Sequence, residues 1–177
     1  MHGFVRGVVA LLALGAVLAA PRLGLAQEGQ AGSKIECMTD AQLRTFLADV
    51  FFWQLDKLSE LCQRKVPELE SEVIAARLAF GEKALDVRFN IGQEVQAMLR
   101  PYYGDDSLLE RVRMLNAAAA PALEYAEGNW TATECANLVE NSASIGDELT
   151  ATSVGATTNG VIDGTFEEER THMPRCP

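Results

Sequence analysis

The chain has 177 residues, 15 basic against 25 acidic, for a formal net charge of −10 at neutral pH. An acidic surface of this size repels nucleic acid and anionic lipid, and suits a partner that is basic where it makes contact. The length suits one domain with a real core.

The first segment reads as a secretion signal. Residues 1–26 carry Arg6, an apolar run of 13 residues from Val8 to Ala20, and then Gly24-Leu25-Ala26, a small-x-small cleavage pattern. A membrane span needs about 20 apolar residues, so the run is too short for a permanent anchor. No cysteine follows the cleavage site, which argues against lipid attachment. Cleavage after Ala26 would remove Arg6 and Arg22 and no acid, leaving the mature chain more acidic. The expected location is periplasmic or secreted. Asn129-Trp130-Thr131 matches a glycosylation acceptor, a pattern too short to carry weight.

A lead over residues 27–38 precedes a helical region, 39–150. Thr39 and Gln42 have capping-box spacing and open helix one. Leu43, Phe46, Leu47, Val50, Phe51, Leu58 and Leu61 recur at the three- and four-residue steps of a buried helix face. The helix is expected to end near Lys65, since Pro67 disfavours helical geometry at Val66. Pro67 suits the first position of helix two. Its inner face runs from Leu69 through Val73, Phe80, Ala84, Val87 and Val95 to Met98. It is expected to stop at about Arg100, with Pro101-Tyr102-Tyr103-Gly104 as a turn.

Helix three is expected from Asp106 or Ser107, capped by Ser107 and Glu110, with Leu108, Val112, Leu115, Ala119 and Leu123 inward. Pro121 is expected to bend it. Helix four opens at Thr131-Ala132-Thr133-Glu134, and Cys135, Leu138, Val139, Ser142, Ile145 and Leu149 mark its inner face. Residues 151–177 lack periodicity and read as an irregular C-terminal strap, with a short helical turn at Glu167-Glu168-Glu169-Arg170. The fold class is therefore all-α: an antiparallel up-down four-helix bundle with a strap, stapled by two disulfides.

The staples follow from helix length. Four cysteines behind a secretion signal read as two disulfides. Cys37 and Cys62 are separated by a helix of roughly 37 Å, whereas a disulfide needs Cα atoms within about 7 Å. Alternating helix directions bring Cys62 at the top of helix one beside Cys135 at the start of helix four. The strap then carries Cys176 back to Cys37.

No catalytic constellation emerges. His172 is the single histidine of the mature chain, and it lies near the end of the strap. The sequence offers no zinc ligand set, no Ser-His-Asp triad at the core, no glycine-rich phosphate loop and no C-x-x-C-H haem motif. No cofactor or metal is expected. Carboxylates fall mainly on polar helix faces.

Phe51-Phe52-Trp53 places three rings at 100° steps, which either lie on a wide core face under the strap or leave Phe52, as a candidate contact residue, pointing away from the core. Tyr102 and Tyr103 are further candidate contacts. The expected function is a non-catalytic envelope protein that binds another protein, of inhibitor, immunity or assembly type. The alternatives are a carrier of small apolar ligands, using a groove near Pro121, and an enzyme with a carboxylate-based site.

Overall fold

A computed structural model describes Ile35, residues 37–148 and Cys176, with side chains described as far as Ser142 and at Cys176. The expected signal (1–26), most of the lead, the strap with its helical turn, and His172 lie outside the described residues. The described part is helical.

Helix α1 spans Asp40–Lys65, and its capping box forms as the sequence implies. The Thr39 hydroxyl accepts from the Gln42 N–H at 3.2 Å, and the Gln42 side chain accepts from the Thr39 N–H at 2.9 Å. A 3-10 turn, Pro67–Leu69, with proline at its first position, leads into α2, Glu70–Tyr103. At 34 residues, α2 is about 51 Å long.

The end of α2 corrects the expected turn. The helix continues through Pro101 to Tyr103 and stops at Gly104, whose φ is 55°. Proline this near a helix end removes a single ladder bond. The glycine two residues past Tyr102 supplies the left-handed geometry that terminates the helix. Its N–H donates to the Arg100 carbonyl.

A second 3-10 turn, Gly104–Asp106, feeds directly into α3, Ser107–Asn129. This also corrects an expectation. Ser107 is the first helical residue and is buried, while Asp106 holds the cap position at φ −79°, ψ 0° without a side-chain bond. A 3-10 turn running into the helix leaves no extended residue to act as a capping-box serine. Helix α3 is unbroken across Pro121, which lies on its exposed side. Helix α4, Ala132–Glu148, follows after two residues.

Residue pairs fix the helix directions. Along α1, Phe52 meets Arg88 and Phe80 of α2, Asp56 meets Arg88 and Arg77, and Glu60 meets Arg77, so the two helices are antiparallel. Asp49, Trp53 and Lys65 meet Arg111, Asn116 and Glu127 of α3 in ascending order, so α3 runs with α1. Helix α4 starts beside the C-terminal end of α1. Helices α3 and α4 each pack on both α1 and α2 but make little contact with one another. The α1–α2 pair is thus the spine of the bundle.

Two apolar clusters fill it. Around one end, Leu58, Leu61, Val73, Phe80, Ala126, Trp130 and Leu138 pack about the buried Cys62 and Cys135. Around the other, Leu43, Phe46, Val95, Leu99 and Leu115 pack with Met38. Leu108, expected inward, is 52% exposed, while its neighbour Ser107 takes the buried position.

Candidate functional site

Both disulfides form, in the pairing implied by helix length, alternating helix direction and the position of the strap. Cys62 and Cys135 join α1 to α4 with Cα atoms 5.5 Å apart, and Cys37 joins Cys176 at 5.0 Å. The Cys176 N–H also donates to the Met38 carbonyl at 3.4 Å, seating that cysteine against the entry to α1.

Of the candidate contact residues, Phe52 is corrected in favour of the wide core face. It is 2% exposed, packs 6.0 Å from the Phe80 ring, and lies beneath the Arg88 guanidinium. Phe51 is buried as well, and the ring that reaches the surface is Trp53. The indole N–H of Trp53 donates to Asn116 Oδ1 at 3.0 Å, and Lys57 covers its ring. Packing against α2 buries Phe52, and helical phase alone does not say where the neighbouring helix stands. Tyr102 is 36% exposed. Tyr103 is half-buried, and its hydroxyl accepts from the Ile35 N–H at 3.3 Å, so it holds the lead against the end of α2.

Charged side chains lie between the helices in two places. Asp49, buried in α1, takes a two-pronged hydrogen bond from Arg111 of α3, Nε to Oδ2 at 2.6 Å and Nη2 to Oδ1 at 2.7 Å. This bond holds the guanidinium above its ordinary value, against the opposing pull of burial. The guanidinium lies across Gly92 of α2, where an added Cβ would come within 2.8 Å of Nη2. A side chain at position 92 would displace it. Further up the spine, Asp56 accepts from both Arg88 and Arg77, and Arg77 also reaches Glu60 at 3.3 Å. These ions are half-exposed and form a ladder along the α1–α2 seam. Every carboxylate here is held by a guanidinium, which is the arrangement of a structural tie. Among the described residues no group of three or more His, Cys, Asp or Glu is placed to hold a metal ion.

The surface itself carries one feature that sequence reasoning missed. Ile74, Leu78, Leu85 and Phe89 of α2 are 40%, 69%, 64% and 63% exposed. At 100° per residue they fall within an arc of about 60°, along about 22 Å of helix. This line lies about a third of a turn round from Val73, Phe80 and Ala84, which face the core. Gly81 sits on it between Leu78 and Leu85, and a Cβ there would have nothing within 4 Å. Glu82 and Asp86 border one side of the line and are exposed. Arg77 and Arg88 border the other side and turn inward to Asp56 and Glu60. The 4-7-4 spacing was a readable signal. It lies one residue out of step with the buried face, whose own apolar residues mask it.

Near Pro121, Ala119 is fully buried, while Ala117, Ala118 and the proline are exposed. No described helix is long and apolar enough to cross a membrane. The chain matches no protein family, no curated protein and no solved structure.

Proposed function

We propose that this is an exported, non-catalytic helical protein, periplasmic or secreted, that binds another envelope protein through the outer face of α2. The inhibitor, immunity and assembly classes all fit this reading. The observation that carries it is the exposed line Ile74, Leu78, Leu85 and Phe89 on the outer side of α2, bordered by Arg77, Arg88, Glu82 and Asp86. Scattered apolar residues on a surface need no explanation, whereas a contiguous line of large ones marks an interaction site. Two disulfides support the export reading, because such bonds persist in oxidising compartments. The net charge of −10 supports a partner that is basic at the contact.

The test is a paired cross-linking experiment in the native envelope fraction, using the mature protein and its Leu78→Glu/Leu85→Glu variant. Both positions are exposed, so the variant is expected to keep wild-type helicity and melting temperature. Cross-links from α2 to a partner are expected with the wild type and not with the variant. An identical set of cross-linked proteins from both would refute the assignment of this face.

A further inference from the structure

We infer that the occupant of the α2 face is a single amphipathic helix of the partner, bordered by Lys or Arg, with one bulky apolar side chain seated at Gly81. This rests on the binding role proposed for α2 and specifies what is bound.

Three observations converge on it. The first is shape: the apolar line is straight, one helix wide and about 22 Å long, which suits a helix laid alongside and not a broad globular surface. The second is Gly81. Glycine inside a helix costs about 1 kcal/mol relative to alanine. Nothing in this fold requires it, since a Cβ at position 81 would meet no atom within 4 Å. Gly92 shows the contrast, because there Arg111 occupies the space. The gap at Gly81, walled by Leu78 and Leu85, is a notch open to the outside.

The third observation is charge. Glu82 and Asp86 line one border of the notch, while the arginines of the other border are engaged by Asp56 and Glu60. A second copy of this chain fits poorly. Antiparallel pairing about a twofold would set Glu82 and Asp86 against themselves. Parallel pairing would offer them arginines that already have carboxylate partners. Either brings together two chains of charge −10. A helix with basic borders meets the apolar line and the acidic border together.

The probe is a synthetic 18-residue helical peptide with leucines on one face and lysines along its borders, compared with a twin carrying glutamate for lysine. Fluorescence anisotropy with the disulfide-intact protein is expected to show binding of the lysine peptide, and at least about tenfold weaker binding of its twin. Affinity is expected to fall as salt rises from about 0.05 to 0.5 M. Glu82→Lys/Asp86→Lys and, separately, Gly81→Leu, which fills the notch, are each expected to weaken it about tenfold with helicity unchanged. Equal binding of both peptides, or affinity indifferent to Gly81→Leu, overturns the inference. So does sedimentation showing a dimer that Leu78→Glu/Leu85→Glu dissociates, which would make the occupant a second copy. If native cross-linking still depends on Leu78 and Leu85 while the peptide results fail, the binding role stands and the helical occupant does not.

Discussion

Asp49 is an acid set within the apolar face of α1, and its position is intelligible only together with Arg111 and Gly92. A buried carboxylate is tolerated when a guanidinium satisfies both oxygens, and costly when it is not. Removing one partner strands the other. Asp49→Ala is therefore expected to destabilise by about 3 kcal/mol in urea denaturation. The Asp49→Leu/Arg111→Met pair is expected to cost clearly less than the sum of its single changes, since it leaves no orphaned charge. Because Asp49 raises the Arg111 value, the stability it contributes is present throughout the range below the ordinary guanidinium value and is lost only as pH rises through the raised one. Arg111 therefore adds no pH dependence near neutrality. The two glycines of α2 are expected to respond in opposite senses. Gly81→Ala should stabilise by about 0.5–1 kcal/mol, the helix-propensity gain in open space. Gly92→Ala should give back that gain or more, because its Cβ would meet Arg111 Nη2 at 2.8 Å.

At the scale of the element, each helix shows which information is local. The start of α4 is an example: Thr131 donates its N–H to the Glu134 carboxylate at 2.8 Å, and its hydroxyl accepts from the Thr133 N–H at 3.3 Å. The hydrogen bonds from Thr131, hydroxyl first and then backbone, lower the Glu134 value from its ordinary 4.5. A lowered carboxylate contributes stability above 4.5 and loses it as pH falls through the folded value. The Thr131 amide shift in NMR is expected to titrate below pH 4.5, and Glu134→Gln should abolish that titration. The caps at Thr39 and Thr131 were legible because both partners lie within three residues, whereas Ser107 and Glu110 share that spacing and form no cap because a 3-10 turn runs straight into the helix. The cysteine pairing was legible because helix length excludes Cys37–Cys62 and alternating helix direction chooses between the two pairings that remain. Phe52 was not, since its burial depends on Phe80 and Arg88, 28 and 36 residues away in sequence. Nor was the exposed apolar line of α2, because two apolar lines one residue apart read as a single broad one. The extension of α2 through Pro101 turned on Gly104, whose left-handed backbone stops the helix three residues later than the proline suggested.

In the whole molecule, the two disulfides differ in setting. Cys62 and Cys135 are fully buried within an apolar cluster, whereas Cys37 and Cys176 are half-buried at the entry to α1. A dissolved thiolate must reach sulfur to exchange with it. Mild reductant is therefore expected to open Cys37–Cys176 first, with Cys62–Cys135 resisting until the helices unfold. Alkylation at timed intervals followed by peptide mapping reads the order, and simultaneous labelling of all four cysteines would contradict it. In the chain-entropy account each bond closes a loop worth about 4–5 kcal/mol. The bond between Cys37 and Cys176 spans 139 positions and has a mechanical consequence. Tension applied at those two cysteines passes through a covalent bond about 2 Å long, and the helices between them carry none of it. An atomic-force experiment with handles beside Cys37 and Cys176 should register almost no extension until reductant cuts the bridge. The tether should then lengthen in steps as the enclosed chain pays out, stopping short of full contour length for as long as Cys62–Cys135 holds.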